Sequence, residues 1–150
     1  YGSSGWLRMF AHEVIRDARV RVVAWVDAGD FVFLQDPAHL LAHRDLFGKR
    51  RAVGIAGDAN GVGGLPLQVF DLPQMRQSNW SHLVAKVVRS EYAVLGPQLC
   101  ELGEGRTLVA MLSKEVAGPG NEQLSYPLPS TWAYMPWAVW IPGRGVASLW

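Results

Sequence analysis

The sequence predicts an α+β fold, in which an N-terminal helix packs on a mostly antiparallel sheet. Apolar residues recur at helical spacing from Trp6 to Ile15, which predicts the helix. Short apolar runs between turn-forming residues fill most of the remaining chain, which predicts the strands. The chain has 150 residues and is 49% apolar, so we expect a single domain over residues 1–150 with a substantial core.

The first elements follow from local signals. The apolar spacing predicts a helix from Gly5 to about Asp17, with Ser3 or Ser4 as its N-cap. Two apolar runs, Val20–Val26 and Phe31–Leu34, flank the turn formers of residues 27–30 and predict two strands.

A second helix and two further strands follow. Asp36-Pro37 predicts the start of a short helix that runs to about Phe47, and Gly48 ends it. Residues 51–55 and 65–72 read as strands on either side of the glycine-rich loop of residues 56–64. That loop does not match a phosphate-binding pattern, because no lysine follows it at the required place.

The segment His82–Val88 fits two structures. The spacing of Trp80, Leu83, Val84 and Val87 fits a helix, whereas the β-branched content and a second apolar run after a polar break fit a hairpin. We predict strands here.

Two more hairpins are expected towards the C-terminus. The first joins Gln98–Leu102 to Thr107–Leu112, and the last joins Ala133–Ile141 to Val146–Trp150.

Composition excludes several classes of function. The net charge is +1 and the basic residues are interspersed with acidic ones, which argues against nucleic-acid binding. No apolar run approaches the roughly 20 residues of a membrane helix. Cys100 is the single cysteine, so no intrachain disulfide is possible. His39 and His43 have i, i+4 spacing but no evident third ligand, so we expect no metal site, and no sequence signal predicts a cofactor.

Two distant segments carry the residues of a possible catalytic site. Ser3 and Ser4 open the N-terminal helix, where the helix dipole favours negative charge on a nucleophile. His82 stands at the start of a predicted strand, and an imidazole there can take the nucleophile's proton. The alternative is that the serines only cap the helix and that His82 is an edge-strand residue.

These segments resemble those of the NlpC-type papain-like cysteine peptidases. Residues 3–10, Ser-Ser-Gly-Trp-Leu-Arg-Met-Phe, are similar to the family's nucleophile helix. Residues 27–34, Asp-Ala-Gly-Asp-Phe-Val-Phe-Leu, resemble the motif that begins its central sheet, and residues 81–87, Ser-His-Leu-Val-Ala-Lys-Val, resemble its histidine strand. The three matches occur in the family's order.

The resemblance implies a papain-like fold and an amide hydrolase whose catalytic residues are Ser3, His82 and Gln98. Serine stands at position 3 where the family has cysteine, which makes the chain a natural serine variant, an inactivated homologue or a protein whose cysteine was replaced. Glu101 is a further candidate for the orienting residue. The implied substrate is a peptidoglycan peptide, as for small amidase effectors and phage lysins. The resemblance also implies secretion or delivery to the bacterial periplasm and an immunity or carrier protein as partner.

A non-catalytic binding module is the alternative function. Trp132, Tyr134, Trp137, Trp140 and Trp150 form an aromatic C-terminal cluster. Aromatic side chains of this kind form sugar- or peptide-binding platforms, protein interfaces or simply core.

Overall fold

The structure is a computed structural model that contains both helices and strands. It describes residues 3–26, 33, 35–56, 67–99, 107–108, 110–111, 124–132, 138–141 and 145–148; for residues 3, 4, 130, 138–141 and 145–148 the description covers the backbone alone.

The N-terminal helix is confirmed, but most of it is a 3-10 helix. The 3-10 segment spans Ser3–Phe10 and continues into one α-helical turn, α1 (Ala11–Val14). Its three-residue period aligns Trp6, Met9 and His12 on the inner face. Val14 lies off this face and is 61% exposed.

A four-stranded mixed sheet forms the centre of the α+β fold. Its strands are β1 (Val22–Val26), β2 (Val53–Ala56), β3 (Leu67–Asp71) and β4 (Ser125–Pro127), in the order β1-β3-β2-β4. β3 pairs antiparallel with β1 and β2, while β4 pairs parallel with β2. The sheet is therefore mostly antiparallel, as predicted, and β4 is an element that the sequence analysis missed.

Apolar residues pack on both faces of the sheet. Along β3, Leu67 and Val69 face one cluster that contains Phe47, whereas Phe70 faces the other, which contains Met9 and Trp80. This alternation is the two-residue period of a strand. It places the N-terminal helix on the Phe70 side, where Arg8 also donates a hydrogen bond to Gln68 on β3 at 3.0 Å.

Aspartate side chains accept hydrogen bonds from backbone amides at the start of two short helices. α2 (Ala38–Ala42) follows Asp36, whose carboxylate accepts from the Ala38 amide at 2.8 Å, and a 3-10 turn at His43–Leu46 leads to Gly48 with φ +72°. This confirms the predicted second helix. α3 (Leu72–Gln77) was not predicted, although Asp71 caps it by accepting from the Gln74 amide at 3.0 Å.

The strand prediction for residues 82–88 and 92–95 is wrong. These residues lie in one helix, α4 (Trp80–Leu95). Trp80, Val84 and Val87 are buried on one side of it, at i, i+4 and i+7. Burial of this apolar face stabilises the helix by more than the branched residues would gain as strand, because their β-preference is worth at most about 1 kcal/mol each.

The strands expected after α4 are also not observed, as far as their residues are described. Gln98, Leu99, Thr107, Leu108, Ala110 and Met111 have helical backbone. Leu108 and Met111 are buried in the same cluster as Trp80.

The last hairpin is confirmed as β5 (Ala138–Ile141) and β6 (Gly145–Ser148), which pair antiparallel as a separate two-stranded sheet. Cys100, Glu101 and most of the predicted strand Phe31–Leu34 lie outside the described residues.

Candidate functional site

A hydroxyl, an imidazole and a carboxylate meet where the N-terminal helix contacts α4. Nε2 of His12 lies 3.0 Å from Oγ of Ser81. The Ser81 hydroxyl donates a hydrogen bond to Oε1 of Glu13. The same Oε1 lies 3.8 Å from Nε2 of His12. Each of the three groups is therefore close to the other two.

The start of α4 positions Ser81. Asn79 precedes the helix in the left-handed conformation (φ 53°, ψ 41°), which asparagine tolerates better than most residues. The indole N–H of Trp80 donates to the Met9 carbonyl at 2.9 Å in the buried interface with the N-terminal helix. Ser81 is thereby held beside His12 and Glu13, in the first turn of α4.

The hydrogen bonds of Ser81 determine which ring nitrogen of His12 carries the proton. A hydroxyl has one proton, and that of Ser81 points at Glu13, so Ser81 accepts its second hydrogen bond from His12. Nε2 of His12 therefore carries the proton in the neutral ring. Nδ1 is then an acceptor, and no donor among the described residues reaches it.

Burial keeps this imidazole neutral. The side chain of His12 is 6% exposed, whereas that of Glu13 is 55% exposed. Burial lowers the pKa of His12; the nearby Glu13 carboxylate acts in the opposite direction, and Arg76 lowers it further. The net pKa lies below the ordinary value, so the tautomer assigned above is the form expected at neutral pH.

A cleft opens beside these residues. Its volume is ≈ 290 Å³, and it is lined by residues of α1, of the end of α3 and of the start of α4: His12, Glu13, Met75, Arg76, Asn79, Trp80 and Ser81. A partly exposed hydroxyl at the mouth of a cleft is accessible to a small-molecule substrate.

The residues named from the sequence are placed differently from this cluster. Ser3 is the first residue of the 3-10 helix, and its side chain lies outside the described part of the chain. His82 is exposed on the first turn of α4 and not on a strand. Gln98 is exposed beyond the end of α4, and a helix rises about 1.5 Å per residue, so roughly 20 Å of helix axis separates His82 from Leu95. Catalysis by Ser3, His82 and Gln98 stays a prediction.

His12, Glu13 and Ser81 were not predicted to lie together. Ser81 and His12 are 69 residues apart in the chain, and no local pattern relates them. The available signal was the helical spacing that begins at Trp80, since it places Ser81 in the first turn of a helix.

The part of the chain that the structure describes contains no group of three or more His, Cys, Asp or Glu side chains suited to a metal ion. None of its helices combines the length and the apolar character needed to cross a bilayer.

No protein-family model matches the chain, and no curated protein is similar enough to match it.

Proposed function

We propose that this protein is a hydrolase that transfers an acyl group first to the Ser81 hydroxyl and then to water. The observation that carries the proposal is the contact of one accessible hydroxyl with both a carboxylate and an imidazole at the mouth of a cleft. A serine hydroxyl needs a neighbouring base to act as a nucleophile. Glu13 is placed to be that base, because its carboxylate accepts the hydrogen bond that the Ser81 hydroxyl donates.

The proposed reaction balances with one water molecule per turnover. Oγ of Ser81 bonds to the substrate carbonyl carbon while its proton passes to Glu13. The bond from that carbon to its nitrogen or oxygen leaving group then breaks, and the leaving group takes the proton from Glu13. Water attacks the acyl-serine, gives one proton to Glu13 and forms the carboxylic acid; Ser81 regains its proton from Glu13.

Two further groups suit the negative charge that develops in this reaction. Nε2–H of His12 points at Oγ and stabilises charge on that atom as its proton leaves. The first backbone hydrogen bonds of α4 are donated by His82 and Leu83 to the Asn79 carbonyl, so the amides of Trp80 and Ser81 precede them at the positive end of the helix. We assign stabilisation of the carbonyl oxyanion to these amides.

An NlpC-type papain-like hydrolase that cleaves a peptidoglycan amide, with a different nucleophile, is the competing form of this proposal. It is supported by the ordered motif resemblance and by an N-terminal helix that starts at Ser3 and packs on β3. The resemblance assigns the nucleophile to Ser3 and the base to His82, so the two assignments predict different inactive variants.

Covalent labelling separates the assignments. A fluorophosphonate probe and hydrolysis of an activated ester are measured for wild type and for Ser81→Ala, Ser3→Ala and the control Ser90→Ala, which changes an exposed serine of the same helix. We expect label on Ser81 and loss of both signals in Ser81→Ala alone. Loss of labelling and hydrolysis in Ser3→Ala alone would show that Ser3, and not Ser81, is the nucleophile. Circular dichroism and Ser81→Cys, which retains a nucleophile that thiol reagents can trap, show whether a loss reflects unfolding.

A binding module is the second candidate function. It is favoured by the β5–β6 hairpin, which pairs as a sheet of its own and carries Trp140. Absence of labelling and hydrolysis in folded wild-type protein would select this candidate, with His12, Glu13 and Ser81 as a structural link between helices.

A further inference from the structure

Arg76 lines the same cleft and has no role in the proposed reaction. Its Nε donates to the His12 carbonyl at 3.1 Å, and one terminal nitrogen, NH2, donates to the Ile15 carbonyl at 2.7 Å. These two bonds occupy one edge of the guanidinium and hold its plane against the C-terminal end of the N-terminal helix.

The opposite edge of the guanidinium is open, in that no described residue forms a hydrogen bond with it. It consists of NH1 and the second N–H of NH2, and among the described residues no acidic side chain forms an ion pair with Arg76. Arg76 is exposed at the cleft. A planar guanidinium with two parallel N–H groups free matches the two oxygens of a carboxylate.

The geometry points to Arg76 as a carboxylate anchor in the substrate-binding cleft. On the proposed hydrolase function, its open edge binds a carboxylate of the substrate while Ser81 attacks a carbonyl of the same molecule. The substrate class is then amides or esters that carry an acidic group. Glu13 in the same cleft repels that group from the Ser81 side, so the two charges orient the substrate.

A matched pair of esters tests the anchor. The acidic substrate is the para-nitrophenyl monoester of glutaric acid, and the neutral one is para-nitrophenyl pentanoate, which has the same chain length. We expect Arg76→Gln to lower the ratio of acidic to neutral kcat/KM by roughly 10- to 100-fold, mainly through KM, since a hydrogen-bonded charge pair is worth that much. Arg89→Gln is the control, because Arg89 is an exposed arginine whose Nε also bonds a backbone carbonyl, that of Ala85.

Arg76→Lys distinguishes recognition from structural support. Lysine keeps the positive charge but cannot bond both carbonyls and a carboxylate. We expect it to retain part of the preference for the acidic ester. If Arg76→Lys and Arg76→Gln lowered kcat/KM equally for the acidic and the neutral ester, Arg76 would have only a structural role. The proposal that it anchors a carboxylate would then be wrong.

Binding to a variant without the nucleophile tests the anchor apart from catalysis. Glutarate is titrated into Ser81→Ala and into the double variant Ser81→Ala/Arg76→Gln, and binding is followed by NMR. Binding that is lost in the double variant supports the anchor even if neither ester is hydrolysed, a result that would remove only the hydrolase proposal. Hydrolysis with no preference for the acidic ester, together with no glutarate binding, would overturn the anchor and leave the hydrolase standing. Absence of both hydrolysis and binding would overturn both.

Discussion

The imidazole of His12 lies 3.0 Å from the hydroxyl of Ser81, although 69 residues separate them in the chain. The contact joins the end of the N-terminal helix to the first turn of α4. The contact exists only when both helices are packed on the sheet, so the candidate site forms only in the folded protein. A change that loosens the packing of the two helices should therefore also disrupt the site.

Glu13→Gln tests the proton acceptor. The glutamine Oε1 still accepts a hydrogen bond from Ser81 but cannot take its proton. We expect kcat for ester hydrolysis to fall by about 10²- to 10⁴-fold, the usual contribution of general base catalysis. The melting temperature should change little, because the Glu13 side chain is 55% exposed. Glu91→Gln, at the other end of α4, is the control; equal activity of the two variants would exclude Glu13 as the base.

The pH dependence of stability should report on His12. Burial, with Arg76, holds the pKa of His12 below its ordinary value although Glu13 opposes the shift. The unfolded chain then binds a proton more readily than the folded chain, so His12 contributes full stability above about pH 6.5 and loses it as the pH falls through the lowered pKa.

We therefore expect the melting temperature of wild type to fall between pH 7.5 and pH 5.5 more than that of His12→Gln. Glutamine places an amide N–H where Nε2–H of His12 lies and does not titrate. Parallel curves for the two proteins would contradict the assignment of a neutral, buried imidazole.

Gly54→Ala should destabilise the sheet face that holds Phe47. A Cβ at position 54 would lie 2.6 Å from the Phe47 ring and 3.2 Å from Leu128. Phe47 is buried and stacks on Tyr126, so its ring has little room to move. We expect a loss of about 1–3 kcal/mol in the free energy of unfolding, measured by urea denaturation. In the Phe47→Leu background the added loss should be smaller, since the clashing ring is absent.

Asp71 variants should separate a helix cap from an ion pair. One oxygen of Asp71 caps α3 through the Gln74 amide, and the other accepts from Nε of Arg44 at 2.7 Å. Asparagine keeps the cap and loses the charge, so we expect Asp71→Asn to cost about 1–3 kcal/mol and Asp71→Ala about 1 kcal/mol more.

Asp45→Asn is the matched control for the ion pair. Asp45 also pairs with Arg44, at 3.3 Å, but its side chain is 78% exposed. Solvent screening should limit its effect to below about 1 kcal/mol. If the losses for Asp45→Asn and Asp71→Asn were equal in urea denaturation, burial would not be the reason that the Asp71 pair matters.

Part of the fold was predictable because its signals are local. Asp36 and Gly48 bound the α2 segment through contacts a few residues long, and apolar runs mark β1, β2 and β3. The cap of α3 by Asp71 is equally local, so this helix was predictable from the sequence although it was not predicted.

The sequence by itself determined the α+β class, the N-terminal helix and the final hairpin, since periodicity and turn residues act within one element. Only the tertiary structure decided that residues 80–95 form a helix, because its buried face exists once Trp80, Val84 and Val87 have a core to enter. It also decided the strand order β1-β3-β2-β4, which depends on pairings between distant segments. The meeting of His12 with Ser81 has the same origin: packing brings two helices together, and no pattern along the chain encodes that distance.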